Sequence, residues 1–310
     1  MDREILNTIY LLESQLRDYV NSPRKQNMLM MDKEIWNAIC VSMDLIGDTT
    51  NAIEEYLKLD SSSIKYLAIY GILQALYLQQ DALQYIYETL NLPFTLSPRL
   101  REMRKIRNKV AGHPVNAWKK KFQSFHFISQ MESSARFVQL LSIDAKTNDL
   151  EFEKIDIHQS IQTQLEELAI GLQTIISELN KENEKHKKEF KDVKIKTIID
   201  NIMPYELGKI YESALGGDYP ASMVLYSLGK IRTTLQAFTE ELKKRNLLGN
   251  LSGVDYLLTL FDHPIAVLEE HYQGAKIVPS EDRFIYFFFV EKHLKELGEM
   301  AMQIDEEYTS

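Results

Sequence analysis

The chain has 310 residues, 45% hydrophobic and 26% charged, and a formal net charge of −9. That balance excludes wholesale disorder and allows one large core or two smaller ones. A single cysteine, Cys40, excludes an internal disulfide framework, and the apolar run Phe284–Val290 is far too short to span a bilayer.

Twelve glycines and eight prolines are few turn formers, which fits long helices joined by few loops. Ile5, Ile9, Leu12 and Leu16 form a helical stripe that Asn21-Ser22-Pro23 ends. A second helix is expected over 32–59, where Cys40 falls in the apolar pattern Trp36, Ile39, Met43 and reads as a small core residue. Asp60 and Ser61-Ser62-Ser63 close it, and those serines can cap a third helix from about Ile64 to Asn91. After the connector Asn91–Ser97, Ser97 and Pro98 suit the N-cap and first position of a fourth helix. Gly112 and Pro114 bracket its end, the glycine as a left-handed cap and the proline as a stop.

The period then changes. Phe122, Ser124, His126 and Ile128 alternate with Gln123, Phe125 and Phe127, as a strand requires. Ala135–Ile143 and Leu150–Ile157 read as further strands about a turn at Asp144–Asp149. Helical spacing resumes at Ile161, Leu165, Leu168, Leu172, Ile175 and Leu179, close to a heptad seam, and the charged run Lys181–Lys196 continues it as a connector. From about Val193 a second helical bundle follows, broken at Gly216-Gly217, Gly249–Gly253 and Pro279-Ser280; Phe287, Val290, Leu294 and Leu297 line the last helix. The expected fold is mainly α. An N-terminal antiparallel helical bundle covers 1–120, a small antiparallel β insertion 121–158, a long helix or connector 159–192, and a C-terminal helical domain 193–310.

Charge is distributed unevenly. Between Arg99 and Lys121 lie nine cations, Arg99, Arg101, Arg104, Lys105, Arg107, Lys109, Lys119, Lys120 and Lys121, opposed only by Glu102. The window carries +8 and the rest of the chain −17, so a polyanion can be attracted locally by an otherwise acidic body. Inside the window Arg107-Asn108 is followed by four residues and then His113. Arginine holds a phosphate through a planar fork of donors, histidine moves a proton near neutrality, and asparagine orients either without adding charge. On a regular helix residues 107 and 113 lie about 120° apart, so the cap at Gly112 must direct His113. An RNA 2′-hydroxyl attacking its own phosphate needs a base, an acid and charge stabilisation. One such set supplies half the acid–base work, and two sets facing across a dimer supply both.

Arg107-Asn108-x4-His113 at a helix end resembles the signature of the HEPN superfamily: an arginine, an adjacent Asn, Asp or His, and a histidine a few positions on. The preceding segment, Tyr70-Gly-Ile-Leu-Gln-Ala-Leu-Tyr-Leu-Gln-Gln-Asp-Ala-Leu83, is similar to helices upstream of that motif in HEPN-like bacterial proteins. The resemblance covers roughly residues 1–120. It implies a metal-independent endoribonuclease without a cofactor, a homodimer with a composite site, and a role as a toxin or anti-phage effector held by an antitoxin or regulatory protein. Arg107, Asn108 and His113 would be catalytic. HEPN toxins neutralised by a nucleotidyltransferase often carry a tyrosine two places after the histidine, whereas this chain has Val115.

A helical hairpin about Asn91–Ser97 would put residue 107 level with 82, placing Gln80 and Asp81 beside Arg107. Arg104 and Lys109 are candidate phosphate contacts. No His-Glu-x-x-His, Cys-x-x-Cys, phosphate-loop or Gly-x-Ser-x-Gly pattern occurs, so no metal, nucleotide or serine-hydrolase site is expected. Two other readings use the same residues differently: a non-catalytic module binding RNA or a protein through the basic stripe, and a scaffold dimerising along the Ile161–Leu179 seam. Met1-Asp2-Arg3-Glu4 does not begin a signal peptide, and the expected location is cytoplasmic, with no membrane partner.

Overall fold

The computed structural model describes residues 3–60, 66–112, 114–118, 121–130, 132–202 and 204–309. The expected caps at Ser61–Ser63, and the third helix's start at Ile64, lie outside them. The chain is mainly helical with a small antiparallel sheet, and it divides into two compact units.

The first unit comprises residues 1–20 and 32–180. Helix α1 (Arg3–Val20) buries Leu6, Ile9, Leu12, Leu16 and Val20, one face at helical spacing. Asp32 caps α3 (Lys33–Leu57) by accepting from the backbone N–H groups of Glu34 and Ile35. Ile39, Met43, Ile46 and Ile53 of α3 are buried, whereas Cys40 is only half-buried and is not the core residue expected. α4 (Tyr66–Thr89) pairs with α3 as a hairpin and buries Ile69, Leu73, Leu76, Leu83 and Ile86. α5 (Pro98–Arg107) begins as the sequence predicts: Ser97 accepts from Leu100 N–H at 3.2 Å, and Pro98 occupies the first turn.

The end of α5 differs from expectation. Asn108–Gly112 forms a π-helical turn, and Gly112 is not among the glycines with positive φ. Gly112 is therefore no left-handed cap. The sheet also starts earlier than expected, with β1 (Val115–Trp118) paired to β2 (Lys121–Ile128), followed by β3 (Phe137–Asp144) and β4 (Leu150–Asp156) in the order β1-β2-β3-β4. Four residues with a bulge between Asn116 and Ala117 are too short and irregular to show a period of two. Asp144 closes the β3–β4 turn by accepting from Lys146 and Thr147 N–H, and Asn148 takes the left-handed position.

Cross-strand register assigns the two faces of the sheet. His126 opposes Ser142, Leu140 opposes Glu153, and Val138 opposes Ile155. Val138, Leu140 and Ile155 are buried, so this is the inner face. α6 (Ile157–Phe190) then buries Ile161, Leu165, Leu168, Leu172, Ile175 and Leu179. That seam is already occupied inside a single chain, as Gly171 against Leu83 of α4 illustrates, and is therefore no dimer interface.

The second unit comprises residues 21–31 and 181–310. It contains α2 (Pro23–Met30), the end of α6, α7 (Lys196–Asp200), α8 (Pro204–Ala214), α9 (Ala221–Lys244), α10 (Ser252–Leu260), α11 (Asp262–Tyr272) and α12 (Ser280–Glu307). Its core joins Val224, Leu228, Ile231 and Phe238 of α9 to Phe287, Val290, Leu294 and Leu297 of α12. α2 joins by polar contacts: Asn27 donates to the carbonyls of Asn246 and Leu248, while Arg24 and Lys25 pair with Glu182. Among the described residues no helix is long and apolar enough to cross a membrane.

Candidate functional site

Arg107 lies in the last position of α5, where the helix widens into the π turn. A π turn bonds i to i+5 and so brings residue 112 over residue 107. Gly112 makes that approach possible. A Cβ there would lie 2.5 Å from Arg107 Nη1 and 3.1 Å from Asn108 Oδ1. The glycine is needed for space and not for its backbone angle.

The Arg107 guanidinium is held by neutral groups. Nε and Nη2 donate to Gln74 Oε1 at 3.2 and 2.8 Å, and Nη1 donates to Asn108 Oδ1 at 3.0 Å. Its plane lies over the Tyr77 ring at 4.5 Å. These contacts use three of the five guanidinium N–H groups and leave one on each terminal nitrogen, the pair that grips a phosphate bidentately.

Arg104, one turn earlier, is held differently. Its Nε donates to Gln80 Oε1 at 2.8 Å, its Nη2 to Asp81 Oδ1 at 2.6 Å, and it shares Tyr77 at 4.7 Å. Gln80 and Asp81 therefore serve Arg104, not Arg107 as the hairpin geometry suggested. The reason is in the connector. Asn91 adopts φ 54°, Leu92 N–H bonds back to Tyr87 O, and Phe94 packs on Tyr87 with ring centres 5.1 Å apart. The chain doubles back over the last turn of α4, so α5 lies further down α4 than a plain turn would place it.

Behind Arg104 runs a chain of buried amides. Gln80 Nε2 donates to Gln164 Oε1 (2.9 Å), Gln164 Nε2 to Gln79 Oε1 (3.0 Å), and Gln79 Nε2 to Thr50 Oγ1 (3.2 Å). All four are essentially inaccessible to water. Each amide accepts from one neighbour and donates to the next, so the network is fully directed and holds Arg104 against α3, α4 and α6.

Within the π turn, Lys109 Nζ pairs with Glu153 Oε2 of β4 at 2.8 Å. His126 on the same inner face has Ser142 Oγ 2.9 Å from Nδ1 and Ser124 Oγ 3.1 Å from Nε2. Burial, aided by the charge of Lys109, pushes the His126 pKa below the ordinary imidazole value. Its backbone N–H donates to Pro114 O at 2.8 Å, tying β2 to the end of the motif.

Of the described cations in the basic window, four are paired with carboxylates of the same chain. Arg99 pairs with Glu166 and Glu167, Arg104 with Asp81, Lys105 with Glu102, and Lys109 with Glu153. Lys119, Lys120 and His113 lie outside the described residues, as does the side chain of Lys121. Arg107 and Asn108 are thus together, Arg104 adjoins them through Tyr77, and Lys109 faces the sheet. Gln74 and Tyr77 were missed from sequence, although Gln74, Tyr77 and Asp81 recur at i, i+3 and i+7 as a polar stripe on an apolar helix. Among the described residues no group of three His, Cys, Asp or Glu side chains could hold a metal ion. No protein-family model, curated protein or solved structure matches this chain.

Proposed function

We propose that Arg107, Asn108 and His113 form one half of a metal-independent endoribonuclease centre, completed by the same residues of a second copy, in a HEPN-like toxin or anti-phage effector. The observation that supports it most is the setting of Arg107. Two amides and an aromatic face orient it without a carboxylate, so its charge and two N–H groups are left for an anion. Arg104 and Lys109, each paired with a carboxylate, are not set up in this way.

In this reading His113 of one copy removes the proton from an RNA 2′-hydroxyl as the 2′-oxygen bonds to phosphorus. The bond from phosphorus to the 5′-oxygen breaks, and the histidine of the second copy protonates that leaving oxygen. A 2′,3′-cyclic phosphate and a 5′-hydroxyl result. Arg107 binds the non-bridging oxygens as negative charge builds on them. Asn108 orients the guanidinium through its Oδ1. A module that binds RNA by the basic stripe alone is less well supported, because most described cations of the stripe are paired internally.

The test is incubation of the purified protein with total tRNA and a structured mRNA in EDTA, beside Arg107→Ala and His113→Ala. Cleavage to cyclic-phosphate ends, lost in both folded variants, is the expected result. Cleavage that survives in both would assign the activity elsewhere.

A further inference from the structure

We propose that two copies of this chain associate through the outer faces of their four-stranded sheets. The register that turns His126, Ser142 and Glu153 inward turns the alternate residues outward. Val115 opposes Phe125, Phe125 opposes Ile143, Phe127 opposes Leu141, Leu141 opposes Phe152, and Ile143 opposes Leu150. An antiparallel sheet with one solvated face normally alternates apolar and polar residues. Here the outer face is apolar as well as exposed, as expected of a face with a further layer on it, while the inner face sets Val138, Leu140 and Ile155 beside His126, Ser142 and Glu153.

The exposed area suits a partner of the same kind. Val115, Phe127, Leu150 and Phe152 are 53, 54, 61 and 63% exposed. On a scale of roughly 150–250 Å² for a whole aromatic side chain, these four present on the order of 400 Å². A standard interface takes about 800 Å² from each partner, a little over half of it apolar. The face therefore supplies close to the apolar share that one side of a stable dimer needs.

Charge selects the occupant. Among the described side chains the centre of the face carries no charge, and Lys154 over Phe137 and Arg136 with Asp156 lie at one end. That uncharged centre offers no cation to a phosphate backbone or an anionic lipid. Because the chain carries −9, an uncharged face is where two copies can meet without opposing like charges. Lys109 pairs with Glu153 on the inner face, so the π turn lies behind the sheet. A face-to-face dimer leaves the two Arg107 side chains apart. This inference is accordingly independent of the ribonuclease reading, whose paired site would use another contact.

Sedimentation velocity of the full chain over a dilution series tests it, with far-ultraviolet circular dichroism as the check on folding. The wild type is expected to sediment as a dimer through this face, or as a larger assembly where the Arg107 contact forms as well. Phe127→Thr combined with Phe152→Thr keeps strand-compatible residues and should raise the dissociation constant about tenfold or more. Phe152→Lys, a single exposed change on an edge strand that tolerates charge, should do the same. Leu67→Lys, on α4 and 87% exposed, should leave association unchanged. A monomeric wild type, or an assembly whose mass is indifferent to both sheet variants, would overturn the proposal whether or not RNA is cleaved.

Discussion

At position 112 the lack of a Cβ leaves room for the Arg107 guanidinium. Gly112 has an ordinary helical-side φ, so alanine is conformationally allowed there and slightly favoured by helix propensity. Its Cβ would nevertheless fall 2.5 Å from Arg107 Nη1, and the flexible guanidinium is the group that must move. Gly112→Ala should therefore leave the melting temperature within a few degrees while cutting RNA cleavage about tenfold or more. Parallel melting and cleavage assays check this; unchanged cleavage would remove the proposed role of Arg107. The residue scale also shows how far the motif was legible. Arg107 and Asn108 stood out as adjacent types with suitable chemistry, but nothing in their spacing named Gln74 and Tyr77 as the groups that orient the arginine. Those contacts depend on the depth at which α5 lies against α4.

That depth is decided between elements. Ser97 and Pro98 mark the start of α5 in the sequence, because capping is local chemistry within four residues. The level at which α5 meets α4 comes from the left-handed Asn91 and the packing of Phe94 on Tyr87, which no periodicity records. The amide chain depends on the same assembly. Gln79 and Gln80 could be read as polar interruptions of an apolar helix, yet they are satisfied only because Gln164 arrives from α6, some 84 residues later. Gln164→Leu would leave Gln79 Oε1 and Gln80 Nε2 buried without partners. The expected cost is about 1–3 kcal/mol for each orphaned group, read by denaturant unfolding. A variant as stable as the wild type would mean that water restores the network.

Across the whole molecule, four histidines share one direction of pKa shift. His126 and His158 in the first unit, and His186 and His271 in the second, all have lowered pKa values. Burial is the main cause in each, aided by Lys109, Arg136, Arg24 and Arg283 respectively. The unfolded chain binds protons at these sites more readily than the folded one. Their contribution is thus fully present above the unfolded value of about 6.5 and is lost as pH falls through the lowered folded values. The melting temperature should hold between pH 7 and 8 and drop progressively below pH 6.5, as a thermal-shift series would show. A melting temperature that rose on acidification would contradict this sign. The second unit also holds Arg245, fully buried between the Phe190 and Tyr308 rings and bonded to Glu241 and the Val193 carbonyl. It reads in sequence as one more cation of a charged helix end.

The sequence by itself determined the helical class, three of the four strands of the sheet, the start of α5, and the Arg107-Asn108 pair. These follow from periods, caps and residue chemistry that act over a few residues. Tertiary structure alone decided that the Ile161–Leu179 seam is spent inside the chain and that α2 joins the second unit through carbonyls near the end of α9. It alone decided that Asp81 serves Arg104, and that most described cations of the basic window are neutralised. Apart from the local Lys105–Glu102 pair, these are pairings between residues distant in sequence, and such pairings are set by how whole elements pack and not by the pattern within any one of them.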